Sequence, residues 1–467
     1  MNLRLFCLHS MGFAVAIALV VPTFLTTVAA QTPPDAVQVP DFLNPSPNLL
    51  QFPTQPEEVK IERNQAITLA QALELAKRNN RDLEVAILEL ERSRSALKQA
   101  EAVFSPNANV NTNLTNSGDG FTGDASQSST SFTGQAQVNY DLYTSGNRRA
   151  RVRAAEETLR INELNVENRN LEVRLNVTTR YYDLQEADEL VRINRSAVEN
   201  AQASLRDAQS RQEFGVGTQF DVLQSQVNLA NAQQALTNSL SQQRITRRNF
   251  ATLLNLSQSV DVSAADVVEV AGLWEPTLEE SIVQAFQNRP ELPQFLAQRN
   301  ISEQQRRQAL SQLGPQVGVN GNYSIIDRFD DGSSLTDGYS VGVTASLTLF
   351  DGGAAKASAA QSKVNIAIAE NQFASQRDQI RFNVEQFYVQ LQSNLDNIQT
   401  STAGLDQARE ALRLARLRFE AGVGTQTDVI FAENDLTRAE GNRITAILNY
   451  NRALANLQRN VTLRSSR

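Results

Sequence analysis

Thiol, imidazole and metal-centre chemistry draw on Cys and His, and this chain of 467 residues has one of each. Cys7 and His9 both lie, with Met1 and Met11, inside the first thirty residues. That stretch combines a positive Arg4, an apolar run from Met11 to Val21, and the small residues Val28, Ala29 and Ala30 ahead of Gln31. Such a layout is that of a secretory signal peptide, with cleavage expected after Ala30. The apolar run is too short to cross a bilayer as a helix, and Cys7 sits away from the cleavage point, so no lipid anchor is expected. Once the segment is removed, metal sites built on His or Cys, thiol nucleophiles and His-based triads have no residues to build them. Asp and Glu remain, but they are scattered rather than gathered into pairs, so no enzyme, metal site or cofactor is expected. Loss of Arg4 leaves 42 Lys and Arg against 51 Asp and Glu, a net charge of about −9, which argues against nucleic acid as a partner.

The carboxylates that stand out by position are Asp221 and Asp428. Each closes a copy of one string: Gly215, Val216, Gly217, Thr218, Gln219, Phe220, Asp221, Val222, and again Gly422, Val423, Gly424, Thr425, Gln426, Thr427, Asp428, Val429. Seven of the eight positions are identical, 207 residues apart. Gly215 and Gly422 suit the left-handed conformation that stops a helix. Thr218 with Asp221, and Thr425 with Asp428, fit a T-x-x-D variant of the capping box that starts the next one. The same aspartates could instead carry charge at the entrance of a channel, and the sequence leaves both roles open.

The elements that flank these turns are duplicated too. A helical pattern from Thr68 to about Val103, broken near Asn79 and Asn80, returns from Thr277 with its break at Arg289 and Pro290. Thr68 and Thr277, Leu83 and Leu292, and Pro106 and Pro315 are each 209 apart. After each of those prolines the hydrophobic period changes to two, which predicts strands over about 106–116, 131–143, 315–326 and 338–350. One face holds Val110, Leu114, Phe132, Val138, Tyr140, Val319, Tyr323, Val341 and Val343; the other is almost entirely Asn, Gln, Thr and Ser. An ordinary half-exposed sheet would carry Lys and Glu there, so the pattern is that of a transmembrane barrel wall. Tyr143 and Phe350 end it where an aromatic girdle would lie. Four strands cannot close in lipid without unpaired edges, so several chains must share one barrel. No later segment is apolar enough for a spanning helix.

Long helices follow, over about 147–213 and 354–421, each about 100 Å long. Their apolar seam runs through Val152, Leu159, Val166 and Val173, skips four to Val177, and resumes at Leu184, Val191, Val198 and Leu205. Adding 207 gives Ala359, Ile366, Phe373, Ile380, Val384, Leu391, Ile398, Leu405 and Leu412, all apolar. That shared stutter relaxes a left-handed supercoil and lets many helices run nearly parallel around a tube. Return helices are predicted over about 219–256 and 426–457. They are shorter than their partners, so the split helices near 68–103 and 277–313 must complete each pair. The organisation expected is a signal peptide over 1–30, a Pro-rich leader over 31–60, a first repeat over 61–256, an inter-repeat equatorial segment over 257–276 that could form a collar, and a second repeat over 277–460.

An exported chain duplicated in this way resembles the TolC family of outer-membrane efflux proteins (outer-membrane factors). The resemblance rests on the two turns and on the strand-to-helix junctions Leu142-Tyr143-Thr144-Ser145-Gly146 and Leu349-Phe350-Asp351-Gly352-Gly353, in register twice. It implies a mainly α fold with a membrane β-barrel: a homotrimer with a 12-strand barrel in the outer membrane and a 12-helix α-barrel of coiled-coil helices crossing the periplasm. The duct would serve a tripartite efflux or type I secretion system, joined by a periplasmic adaptor (membrane fusion) protein to an inner-membrane pump of RND, ABC or MFS type. The resemblance assigns adaptor docking to Gly215, Val216, Gly217, Thr218, Gly422, Val423, Gly424 and Thr425. It makes Asp221 and Asp428 the candidates for entrance acidic residues; Gln224 and Phe431 stand where some members place another Asp. A periplasmic coiled-coil structural or adaptor protein without a pore is the competing reading.

Overall fold

The computed structural model describes residues 43, 50, 52–118, 128–257, 259–329 and 335–461. The signal peptide and most of the Pro-rich leader lie outside them. In chain order the elements are β1 (Arg63–Ile67), α1 (Leu69–Asn79), α2 (Arg81–Glu101), β2 (Asn107–Gly118), β3 (Ser128–Tyr143), α3 (Asn147–Glu213), α4 (Gln219–Leu253), β4 (Val260–Ala264), α5 (Leu278–Asn288), α6 (Glu291–Ser311), β5 (Gln316–Arg328), β6 (Thr336–Ser346), α7 (Ala354–Glu420) and α8 (Gln426–Val461).

The helix starts follow local chemistry. Thr68 and Gln71 cap α1 reciprocally, and Thr277 and Glu280 do the same for α5, each side chain bonding the other residue's backbone N–H. Asn80 ends α1 in an extended conformation and accepts from Leu83 N at 3.0 Å, so the break becomes the cap of α2. The two long helices each span 67 residues. α3 packs against α2, α4, α6 and α8, and α7 against α6 and α8, so the split helices share the length of the long ones with the return helices.

The seam becomes the core. Val177, Leu184, Ile380 and Val384 have no accessible surface, and the remaining seam residues are buried or half-buried. Two clusters form around the stutter. One gathers Val173, Val177, Tyr181 and Leu184 with Ile67, Leu75, Phe250, Leu254 and Val262; the other gathers Ile380, Val384 and Leu391 with Ala285, Leu292, Tyr450, Leu454 and Leu457. The heptads slip where the chain must also accommodate the ends of the split and return helices. Fully burying side chains of this size contributes about 1.5–3 kcal/mol each.

A feature with no periodic signal ties this belt together. β1 pairs in parallel with β4, Arg63 opposite Val260 through Ile67 opposite Ala264. β4 lies in the inter-repeat segment, and β1, five residues long, has no counterpart among the strands expected from the sequence. The Tyr181 hydroxyl donates to Ile67 O (3.0 Å) or to Asp266 Oδ2 (2.8 Å), and Asp266 Oδ2 accepts from Leu69 N at 2.7 Å. Burial, with Asp266 alongside, pushes the Tyr181 hydroxyl well above its usual pKa, so it stays a donor.

β2, β3, β5 and β6 form one antiparallel sheet in that order. Val110 faces Ala136, Leu114 faces Phe132, Tyr140 faces Val319 and Tyr323 faces Tyr339, so the apolar residues share one face through the register. The polar face is laced across strands, as in Gln135 Nε2 to Asn322 Oδ1 at 2.9 Å. β6 stops at Ser346, short of the expected 350. Its partner β5 begins at Gln316, opposite Ser346, behind Pro315, which has no N–H to donate. Leu349 and Phe350 are left 88% and 85% exposed. β2 and β6 are the free edges of this sheet.

Candidate functional site: the repeated helix turn

Each long helix ends by the same route. Gly215 has φ 75° and Gly422 φ 75°, the left-handed conformation expected of them. Behind the first, Val216 N and Gly217 N both donate to Arg211 O at 2.9 Å; behind the second, Val423 N and Gly424 N both donate to Arg418 O at 2.9 Å. Gly217 and Gly424 are required for a different reason. A Cβ on Gly217 would lie 3.0 Å from Gln212 N, and one on Gly424 3.0 Å from Phe419 N, so the turn folds back onto the helix it leaves.

The next helix starts from the aspartates. Thr218 N donates to Asp221 Oδ2 at 3.0 Å while Asp221 N donates to Thr218 Oγ1 at 3.2 Å; in the second copy Thr425 N reaches Asp428 Oδ2 at 3.0 Å and Asp428 N reaches Thr425 Oγ1 at 3.1 Å. Both aspartates therefore cap. The hydrogen bonds from Thr425, with Arg418 nearby, hold the Asp428 carboxyl below the usual carboxylate range. The carboxylates point into exposed turns, and the tips carry apolar side chains: Val216 is 73% and Val423 69% exposed.

Both turns lie at one end of the helical body. The Arg211 guanidinium stacks over the Phe419 ring at 4.0 Å, joining the last turns of α3 and α7. Gln426 Nε2 reaches Ser225 Oγ at 3.2 Å, and Asn434 Nδ2 reaches Asn228 Oδ1 at 3.3 Å. Above the second turn, the buried carboxylate of Glu433 accepts from Ser204 Oγ at 3.2 Å and from Arg416 at 2.9 Å, so α3, α7 and α8 share one polar contact.

Sequence reading passed over Glu433, Arg416, Arg211 and the exposed Phe214 and Phe220. A signal was present: Glu433 and Arg416 stand where the first copy has Gln226 and Gln209, a matched change to opposite charges. Similarity between copies locates the turn, whereas differences between copies locate what is special to one. Among the described residues no group of Asp, Glu, His or Cys is arranged to hold a metal ion, and no helix is long and apolar enough to cross a membrane.

Two matching long helices, capped turns at one end and an open-edged antiparallel sheet reached from the other define the architecture of an outer-membrane efflux channel. The profile of the outer membrane efflux protein family matches residues 72–256 and 281–461, and the chain belongs to that family. Among known relatives it is 24% identical over 408 residues to the cobalt-zinc-cadmium resistance protein CzcC of Cupriavidus metallidurans, covering 85% of this chain and 91% of that one. It is 21% identical over 307 residues to the outer membrane efflux protein BepC of Brucella suis, covering 65% of this chain and 66% of that one. The Campylobacter jejuni CmeC outer membrane channel superposes with a TM-score of 0.73 at 15% identity, over 90% of this chain and 94% of that one. The protein is thus an outer-membrane, non-enzymatic transport protein of this family, as the TolC resemblance implied.

Proposed function

We propose that the chain forms a homotrimer in which three four-stranded sheets close a 12-strand barrel, and that this trimer is the passive exit duct of a tripartite efflux or type I secretion system. A periplasmic adaptor would dock on the turns at Gly215–Thr218 and Gly422–Thr425 and connect the duct to an inner-membrane pump of RND, ABC or MFS type. One observation carries this reading: both copies of the turn lie side by side at one end, capped and tipped with exposed Val216 and Val423. A turn that served only to reverse the chain would have no need of exposed apolar tips. In a trimer, six such turns would ring the mouth, with Asp221 and Asp428 adding negative charge to it while they cap.

The test is export by cells carrying Gly217→Pro with Gly424→Pro. Each change removes an N–H bonded to the preceding helix and adds atoms where the backbone leaves none. Export should be lost while trimers remain in the outer membrane; normal export would contradict docking at the turns.

A further inference from the structure

We propose that the groove where β3 passes into α3 and α6 passes into β5 binds the phosphate head group of an anionic phospholipid from the periplasm-facing leaflet of the outer membrane. The proposal rests on the barrel reading above, which puts this junction at the membrane surface. The groove has a volume of about 400 Å³ and is lined by Arg149 and Arg153 from α3, Arg307 and Gln304 from α6, and Ser145 from the junction between β3 and α3. Arg149 and Arg153 are exposed, and among the described residues neither makes an ion pair. Arg307 shares Glu303 with Arg306, at 3.1 Å and 2.9 Å, so that carboxylate is divided between two guanidinium groups. Glu157, one turn below Arg153, accepts instead from Asn300 at 2.9 Å. Gln304 lines the groove from α6, and its Oε1 is buried without a hydrogen-bond partner.

This concentration of charge works against the local structure. Arg149 and Arg153 are one helical turn apart, at the positive end of a long helix whose first turn has no acidic residue, where like charges repel and the helix dipole opposes them. The fold does not require the pair either. The second copy of the junction keeps a positive charge opposite Arg149, as Lys356, but has Ala360 opposite Arg153. An anion relieves both penalties, and arginine pairs with phosphate through two parallel hydrogen bonds.

The sheet above the groove selects a lipid over a free anion. β3 and β5 are hydrogen-bonded neighbours that rise directly from it, Tyr143 opposite Val317 and Tyr140 opposite Val319. Leu142 and Tyr143 are half-exposed beside them, and Leu310 contributes an apolar side chain to the groove itself. A head group held by the arginines would lay its acyl chains along that apolar strand pair. Basic pockets against a membrane-spanning wall bind anionic lipids on this principle.

The experiment is native mass spectrometry of the full chain purified in a neutral detergent, titrated with phosphatidylglycerol, phosphatidylcholine or inorganic phosphate. Phosphatidylglycerol should remain bound where phosphatidylcholine does not, and millimolar inorganic phosphate should not displace it. The variant Arg149→Gln with Arg153→Gln and Arg307→Gln should weaken retention by about tenfold or more, while the matching Lys variant, which keeps the charge but loses the paired hydrogen bonds, should fall between it and the wild type. Equal retention of the two lipids by the wild-type protein would overturn the proposal without any reliance on a variant. Displacement by inorganic phosphate would make the groove a soluble-anion site and would also overturn it. A protein that leaves the membrane fraction without detergent would show that the barrel reading itself had failed.

Discussion

Asp428 shows how one side chain serves two scales. It closes a capping box with Thr425, and the same bonds lower its pKa. A carboxylate with a depressed folded pKa contributes stability above its unfolded pKa, and that contribution disappears as pH falls through the folded value. For Asp428 the window opens below the ordinary 3.8. Thr425→Ala should lower stability by about 1 kcal/mol near neutral pH, measurable by denaturant unfolding, because it removes the cap. Asp428→Asn should cost less near neutral pH than Thr425→Ala, and its deficit should shrink in acid. If Asp428 also guards the entrance, Asp428→Asn will weaken block by divalent cations in single-channel recordings; unchanged block would leave it capping alone. The glycines and the T-x-x-D spacing were legible because cap chemistry is local. Glu433 was not, because its partners Ser204 and Arg416 lie on other helices, and nothing in a single periodic pattern brings them together.

At the scale of elements, the sequence disclosed whatever repeats at a fixed period. The two long helices, their seam and stutter, and the alternating strands were all readable because each buried face imposes its own periodicity. Strand β1 was not readable, since five residues that pair with a segment about two hundred positions away leave no pattern. Nor was the end of β6, which is set by the partner's proline rather than by its own residues. The break between α5 and α6 at Arg289 and Pro290 was readable, but the polar cluster that joins it to α8 was not. Glu291 accepts from Arg289 at 2.6 Å and from Arg459 at 2.9 Å, and Arg289 also donates to Asn460. Burial alone would raise the Glu291 pKa, but the Arg289 hydrogen bond and the charges of both arginines bring it down to about 2. Its contribution is therefore present above 4.5 and is lost as pH falls from there toward 2. Glu291→Gln should cost about 3 kcal/mol near neutral pH, because two largely buried guanidinium groups lose their counter-charge. A thermal or denaturant titration should show wild type and variant converging in acid; parallel curves would contradict this role.

For the whole molecule, one chain supplies four strands and two capped turns, and it leaves β2 and β6 as open edges beside a strongly exposed apolar face. Tyr339, Val341 and Val343 on β6 are 85%, 76% and 70% exposed, an arrangement suited to lipid. Open edges in lipid would leave backbone groups unpaired at a cost of several kcal/mol each, and in the proposed trimer they meet their counterparts on neighbouring chains. The duplication explains why the turns share an end and the junctions share the other, and within the basic groove Arg153, opposite Ala360 of the second copy, marks where the two copies have diverged. The central claim is that three chains close one barrel through β2 and β6. Position 7 holds the only cysteine, within the segment read as a signal peptide, so introduced pairs can be read without background. Single cysteines placed along Asn107–Gly118 should be combined with single cysteines along Thr336–Ser346 and oxidised in intact membranes. The account predicts disulfide-linked products that stop at three chains, with the reactive pairs following an antiparallel register. Uncrosslinked monomers at every pair, or a ladder that continues past three chains, would contradict it.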